Sequence, residues 1–350
     1  MNMPSRRRFA RLLGRAAAAA AVVSGASLLA GCGHGTKAAA AGAPLATAPE
    51  PAVSPPAQAN LPGTLYPLAG SPEGVVVDRS GLVAVSVRNP GGIVLFPIGQ
   101  PDSRRTVPIG GEARHLALAT PAGPLLVPDE PTDQLVEVDL PTGQLEVAVG
   151  VGRNPHNAAG GAGGTVFVAD ELANTISIVN NSVVTKVVRA PLQPGGVTAS
   201  ADGTVMVAVG VRGRQVTAYH LDGTVIGSAA CGAGPTHEIT GNGGLYWVAD
   251  TNGGNVLGFR VSAHGITQVA TIPVGPKPYG LAFDPKTDTL WVTLTGADRL
   301  VGLHLRGSSV SSRTVLDTVQ QPNTVAVDPA SGTLVVTGST PSGYLQIIHR

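Results

Sequence analysis

The stretch PGGVTASADGTVMVAV, residues 194–209, contains the unit from which most of the chain is built. Pro194 precedes a short apolar segment, Asp202-Gly203 makes a turn, and a valine-rich segment follows. Two apolar segments joined by a glycine turn predict a β-hairpin, because glycine accepts the positive φ that such turns need. The leading proline returns along the chain at Pro72, Pro155, Pro235, Pro278 and Pro322.

The spacing of these prolines predicts the architecture. From Pro155 to Pro322 the intervals are 39, 41, 43 and 44 residues, a period typical of propeller blades. The interval from Pro72 to Pro155 is about two such periods, and Ala113 stands where the missing proline would be. We therefore predict an all-β fold, a seven-bladed β-propeller over residues 61–350.

The last unit ends at Arg350 after only three predicted strands. An open strand edge favours aggregation, so another segment should cover it. The stretch Leu61–Leu68, just before the first unit, is the natural fourth strand. We predict that it closes the last blade, with an uncovered three-stranded blade as the alternative.

The N-terminus resembles an export signal. Ser5-Arg6-Arg7-Arg8-Phe9 is similar to a twin-arginine signal, which a receptor recognises. An apolar stretch then ends in Leu29-Ala30-Gly31-Cys32, which resembles a bacterial lipobox. We predict a lipoprotein signal peptide over residues 1–32, with Cys32 lipidated; an ordinary cleaved signal is the alternative.

Two acyl chains on Cys32 would anchor the protein stably. The resemblance therefore implies an exported protein held at the outer face of the cytoplasmic membrane, in the cell envelope. Residues 33–60 are rich in alanine and proline and almost free of charge. Such a composition predicts a disordered tether between the anchor and the propeller.

Composition and motifs exclude several classes of function. The formal net charge is +1 and 13% of residues are charged, so we expect no nucleic-acid partner. The sequence contains no phosphate-binding glycine loop before a helix, no Gly-x-Ser-x-Gly elbow and no Cys-x-x-Cys-His motif. Cys231 is predicted to be a buried apolar residue rather than a nucleophile. We expect a monomeric propeller.

Two stretches carry a resemblance to a known repeat family. Residues 167–179, FVADELANTISIV, are similar to the signature of YVTN-type β-propeller repeats. Residues 246–256, YWVADTNGGNV, are close to the related NHL and streptogramin-lyase-like repeats. Gly210 and Leu294 replace the aspartate of the signature in two other units. The family includes surface-layer proteins, binding modules, lyases and lactonases, so the resemblance implies the fold and not a reaction.

The two residues after each repeat proline should form a polar ring at one mouth of the channel, since the prolines share one register. This ring supplies our candidate ligand-binding residues, which are Glu73, Arg114, His115, His156, Asn157, His237, Tyr279 and Asn323. Imidazole and carboxylate groups suit a divalent metal or general acid–base chemistry. Arg114 is suited to holding an anion.

Three hypotheses about this ring follow. The first is a binding or scaffold module that presents the channel mouth to a small molecule or a protein partner. The second is a metal-assisted lyase or lactonase with His237, His156 and Glu73 as catalytic candidates; streptogramin lyases use a comparable histidine and metal-bound carboxylate. The third is a polar channel lining satisfied by solvent. The sequence favours the first and requires no cofactor, although a divalent metal is compatible with it.

Overall fold

The structure, a computed structural model, describes residues 47–350. The predicted signal peptide, Cys32 and residues 33–46 of the predicted tether lie outside the described residues. Within residues 47–350, no helix is both long and apolar enough to cross a membrane.

Seven four-stranded antiparallel sheets form the seven blades of a propeller, as predicted. The innermost strands are β2 (Pro72–Val77), β6 (Ala117–Leu118), β10 (Pro155–Gly160), β14 (Pro194–Ala199), β18 (Pro235–Thr240), β22 (Pro278–Asp284) and β26 (Pro322–Val327). The second strands are β3 (Leu82–Arg88), β7 (Leu125–Asp129), β11 (Val166–Asp170), β15 (Val205–Gly210), β19 (Leu245–Asp250), β23 (Thr289–Leu294) and β27 (Leu334–Gly338). We number the blades one to seven in this order.

The outer half of each blade continues the same meander. The third strands are β4 (Gly91–Pro97), β8 (Gln134–Val138), β12 (Thr175–Asn180), β16 (Gln215–His220), β20 (Asn255–Ser262), β24 (Arg299–Arg306) and β28 (Tyr344–Ile348). The outermost strands are β5 (Arg105–Pro108), β9 (Leu145–Gly150), β13 (Val183–Arg189), β17 (Val225–Ala230), β21 (Gly265–Pro273), β25 (Ser309–Asp317) and, in blade seven, β1 (Thr64–Pro67). Short 3-10 helices cover Pro101–Ser103, Ala162–Gly164 and Asn242–Gly244.

Blade seven is closed by both ends of the chain, which confirms the predicted topology. Strand β1 pairs antiparallel with β28, with Thr64 opposite Ile347. The buried Gln346 side chain strengthens this closure: its Nε2 donates to the carbonyl of Pro62 at 2.9 Å, and its Oε1 accepts the Val319 N–H at 3.0 Å. The closing strand is therefore held by side-chain as well as ladder hydrogen bonds.

Seven apolar clusters lie between neighbouring blades and hold the ring together. The second strands are buried on both faces, as their continuous apolar runs predict. Trp247 and Trp291 on these strands are almost completely buried. Cys231 is also fully buried, in the cluster between blades four and five. No single core exists; each blade is stabilised by its two neighbours.

A bulge follows the repeat proline in six blades and turns the next residues away from the ladder. In blade three the register shifts between Pro155 and Asn157, and in blade five between Pro235 and Glu238. Blades one, four, six and seven show the same shift. A bulge re-aims a side chain, so His156 and His237 face the channel mouth instead of a neighbouring sheet.

Residues 47–60 are the described part of the predicted tether. They have no regular secondary structure, and they lie across the rim of blades six and seven, where they form hydrogen bonds. These contacts are made largely through the main chain, a kind of contact that hydrophobicity does not indicate.

Candidate functional site

Three histidines from blades two, three and five meet at the channel mouth. His237 Nε2 lies 3.0 Å from His115 Nε2, and the His115 and His156 ring centroids are 4.7 Å apart. One ring nitrogen from each histidine lies within 4.8 Å of the others. All three residues are buried, with 8%, 5% and 8% of their surfaces exposed for His115, His156 and His237. We call this group the histidine cluster.

Hydrogen bonds fix which nitrogens face the cluster. The Nδ1 of His237 lies 3.3 Å from the carbonyl oxygen of Tyr279, which can only accept a hydrogen bond. The Nδ1 of His156 lies 2.8 Å from Glu130 Oε1. Both contacts place the proton on Nδ1 and leave Nε2 with its lone pair. The other nitrogen of a metal-binding histidine is held in this way by a carbonyl or carboxylate.

The environment keeps two of the three imidazoles neutral. Burial lowers the pKa of His237 to about 3. Burial, reinforced by the neighbouring His237 and His156, lowers the pKa of His115 well below its usual value. His156 differs: burial lowers its pKa, but the hydrogen bond and charge of Glu130, with the charge of Glu171, outweigh burial and raise it. Neutral imidazoles are the form that binds metal ions.

Glu130 and Glu171 are functional-site residues that the sequence analysis missed. Glu130 contacts His156 and also lies 3.5 Å from Arg114 Nε. Glu171 Oε2 lies 3.6 Å from His156 Nδ1. Each follows the last residue of a second strand. In blade three the antiparallel register places that strand end opposite the repeat proline, and in blade two the Glu130 N–H donates to the Glu112 carbonyl at 3.0 Å. The position one residue beyond each second strand was therefore the signal that could have found them.

Aspartates hold the loops that carry the histidines. Asp129 accepts the Glu112 N–H at 3.1 Å, Asp170 the Gly152 N–H at 3.1 Å, and Asp250 the Gly234 N–H at 2.7 Å. Each of these loops leads directly into His115, His156 or His237. In each of the three blades, the carboxylate therefore ties the end of the second strand to the loop that precedes the first strand.

The predicted residues Glu73, Arg114 and Asn323 line an open cleft beside the histidine cluster. Its volume is about 340 Å³, and Arg88 also lines it. Arg88 pairs with Glu73 at 3.3 Å, and Asn323 Nδ2 donates to Glu73 Oε1 at 3.3 Å. Burial raises the pKa of Glu73. Glu73 is therefore engaged by its own neighbours, and Glu130 is the carboxylate that contacts the histidines.

Tyr279 and Asn157 occupy different parts of the site. The Tyr279 ring packs edge-on against His237, with 4.4 Å between the centroids. Asn157 lies below the mouth, in the wall of a channel of about 440 Å³ that His115 and His237 also line. The structure therefore places every predicted ring residue near the axis, but Asn157 faces the channel and not the mouth.

The N-terminal segment covers the histidine cluster from outside. Ala48, Pro49 and Glu50 enclose a space of about 20 Å³ together with His156, His237 and Tyr279. Pro49 is itself buried. A space of this size admits one water-sized particle. The site is thus a small chamber, partly covered by residues 48–50, next to an open, charged cleft.

Comparisons with known proteins support the fold. No family model matches the chain, and no curated protein matches it. Among solved structures, a streptogramin B lyase superposes with a TM-score of 0.68 at 12% identity, covering 83% of this chain and 98% of that one. Virginiamycin B lyase from Staphylococcus aureus gives 0.67 at 13%, covering 82% and 99%.

A third solved structure is similar at the same level. The Kuenenia stuttgartiensis hydrazine synthase gives a TM-score of 0.65 at 17% identity, covering 81% of this chain and 96% of that one. At such identities the likeness extends to the propeller fold and not to the chemistry.

Proposed function

We propose that this protein is an extracytoplasmic binding module whose channel mouth holds a divalent metal ion through His115, His156 and His237. One observation carries the proposal: three buried imidazoles, delivered by three separate blades, converge with nitrogens within 4.8 Å of one another. The Nε2 atoms of His115 and His237 share one hydrogen bond, with 3.0 Å between them. A cation in place of that shared proton would be bound by both nitrogens and by His156.

The donor set suits a borderline metal such as zinc. Imidazole nitrogens bind Zn²⁺, Cu²⁺, Ni²⁺ and Fe²⁺, whereas Mg²⁺ and Ca²⁺ prefer oxygen. Three protein ligands leave a fourth position open for an exchangeable ligand. Glu130 and the Tyr279 carbonyl would orient the ligands from outside. The adjoining cleft with Glu73, Arg88 and Arg114 would present polar groups to a small molecule or a partner's side chain.

Metal analysis of the purified full chain tests this function. We expect near-stoichiometric divalent transition metal in the wild type and its loss from His237→Ala. His264→Ala is the matched control, because His264 is an exposed histidine on an outer turn. A metal-free wild type that also takes up no Zn²⁺ on titration would contradict the proposal.

The cellular setting is part of the same proposal. The twin-arginine-like start, the apolar stretch and the lipobox-like Leu29-Ala30-Gly31-Cys32 occur in the order of a lipoprotein signal. We propose anchoring through lipidated Cys32 at the outer face of the cytoplasmic membrane, and membership of the YVTN/NHL group of repeats. Cys32→Ser should abolish incorporation of labelled palmitate and release the protein from membranes; retained palmitate would contradict the anchor.

An enzymatic alternative is a metal-assisted lyase or lactonase at the same site. It is favoured by the neutral imidazoles of His115 and His237, which would hold the metal, and by the fold shared with a streptogramin B lyase. A bound metal would polarise a carbonyl or ester oxygen. In this alternative His156, held by Glu130, would move the proton instead of binding the metal, while Glu73 would remain in its ion pair with Arg88.

Turnover assays separate the two functions. The metal-loaded chain would be offered cyclic esters, including a streptogramin B. The enzyme hypothesis predicts turnover that His156→Ala removes while metal remains bound by the other ligands. Full metal occupancy without turnover of these esters would favour the binding module.

A further inference from the structure

The segment that crosses the histidine cluster is bound through its main chain in a groove on blades six and seven. The amide of Gln321 contacts it twice: Oε1 accepts the Ser54 N–H at 3.2 Å, and Nε2 donates to the Ala52 carbonyl at 2.8 Å. Thr295 Oγ1 accepts the Ala52 N–H at 3.0 Å. An extended chain that is recognised by alternating N–H and C=O contacts is bound as a peptide ligand is bound.

Further hydrogen bonds fix the position of the segment in the groove. The Ser54 hydroxyl donates to the Thr295 carbonyl at 2.8 Å and accepts the Gln321 N–H at 3.0 Å. Gln320 Nε2 donates to the Pro55 carbonyl at 2.9 Å, and Gln58 Nε2 donates to the Asp298 carbonyl at 3.2 Å. These contacts continue the groove outward, away from the histidines.

The segment has little else to hold it. Val53, its largest apolar side chain in the groove region, is 98% exposed. Glu50 is exposed, and Pro49 is the one residue of 47–60 that is classed as buried. Partly exposed hydrogen bonds contribute modestly each and compete with the entropy of an ordered chain. Segments with few buried apolar contacts belong to the least stable parts of a protein and open locally.

We propose that residues 48–58 form a removable lid, seated in a peptide-binding groove made by Thr295, Gln320 and Gln321, that controls entry to the histidine cluster from the rim side. The occupant is the chain's own segment. The class of ligand that the groove accepts is an extended, proline-containing peptide recognised through its main chain. When the lid leaves, the groove and the chamber behind it open together.

The control of metal entry rests on the proposed function, whereas the groove and the lid stand on the contacts alone.

Ser54→Ala in the full chain weakens the lid and leaves the groove intact. It removes both hydroxyl contacts, while Gln321 N–H keeps Asp298 Oδ1 as an acceptor at 3.1 Å. We expect hydrogen exchange at the Ala52 and Ser54 amides to accelerate about tenfold, as the loss of two ordinary hydrogen bonds implies. Val53→Ala is the matched control and should leave these amides protected. Unprotected amides in the wild type, or equal exchange rates in the wild type and Ser54→Ala, would contradict the lid proposal.

A peptide experiment tests the groove without any metal. A synthetic peptide of residues 47–58 should bind the Ser54→Ala full chain, and at least about tenfold more tightly than the same peptide with alanine in place of Ser54. Adding Gln321→Ala to the protein should abolish binding. Equal affinity of the two peptides, or no binding of either, would contradict a peptide groove.

Control of entry is tested with Zn²⁺ and a chelator. We expect the chelator to remove Zn²⁺ about tenfold faster from Ser54→Ala than from Val53→Ala, because the lid covers the rim side of the cluster, whereas the channel side is the same in both variants. Equal removal rates would overturn control of the cluster by the lid. If no Zn²⁺ binds to either protein, the proposed metal function fails, while the exchange and peptide results still decide the lid and the groove.

Discussion

Blades four and five carry the same proline, the same bulge and the same sheet, yet only blade five contributes to the histidine cluster. After Pro194 the chain has Gly195-Gly196, and after Pro235 it has Thr236-His237. Blade five ends its second strand in Asp250, which holds the loop before His237, whereas blade four ends in Gly210. The bulge determines where the side chain points, and the residue type determines whether that side chain can bind a ligand.

The remaining blades differ from one another in the same way as blades four and five. Blades two, three and five carry both a mouth histidine and an aspartate that holds its loop. The corresponding second strands of the other four blades end in Arg88, Gly210, Leu294 and Gly338. The aspartate therefore accompanies the histidine. This pairing indicates that the loops needing the most defined position are those that carry a ligand.

The largest expected effect is the loss of Zn²⁺ affinity when a histidine of the cluster is replaced by alanine. His237→Ala should lower the affinity for Zn²⁺ by at least about a hundredfold, since loss of an outer partner alone typically costs ten- to hundredfold. Asn323→Ala, at the blade-seven position that corresponds to His156, should change it less than about threefold, well below that range. Isothermal titration of the full chain measures both; similar losses in the two variants would contradict the division between blades.

Glu130→Gln tests the carboxylate that the sequence analysis missed. It keeps the shape of the side chain but removes the charge that holds His156. We expect metal affinity to fall by about ten- to hundredfold. Glu112→Gln is the control, because Glu112 pairs with Arg88 at 3.2 Å. Unchanged affinity in Glu130→Gln would show that His156 needs no outer partner.

Asp250→Ala tests the loop-holding aspartates. Its carboxylate accepts the N–H groups of Ala233 and Gly234, which would lose their partner. We expect the free energy of unfolding in urea to fall by about 2 kcal/mol. Asp222→Ala, in an exposed turn, should change it much less, because water can replace the hydrogen bonds that its carboxylate accepts from Thr224. Equal effects would mean that Asp250 plays no special part in holding the loop.

Asp170 predicts a smaller, pH-dependent effect. Burial raises its pKa from 3.8 to about 6, although Ser177, Thr175 and Gly152 donate hydrogen bonds to it. The folded state therefore binds this proton more tightly than the unfolded state, and its contribution to stability falls as pH rises through that window. The stability advantage of the wild type over Asp170→Asn should be larger at pH 4 than at pH 7. A difference that is constant with pH would contradict this.

The sequence predicted the fold because period and apolar runs report backbone geometry directly. The repeat register placed Glu73, Arg114, His115, His156, His237, Tyr279 and Asn323 around one mouth, and in six of the seven blades a shared bulge turns equivalent residues the same way. The choice of partners was not predictable from that register. Glu130 belongs to blade two and His156 to blade three, so their contact depends on how the two blades pack together.

The contacts that hold residues 47–60 on the rim were not predicted, for a different physical reason. Residues 47–60 bury few apolar groups, and the sequence criteria for order depend on apolar burial. Their docking depends on Gln321 and Thr295, more than two hundred residues away. Such main-chain recognition has no local signature in the segment itself.

The most direct test of the metal centre is the X-ray absorption spectrum of the Zn²⁺-loaded full chain at the zinc edge. We predict a nitrogen shell at about 2.0–2.1 Å with the outer scattering of three imidazoles, reduced to two in His237→Ala. A shell of oxygen only, or a spectrum that His237→Ala leaves unchanged, would contradict a metal centre built from blades two, three and five.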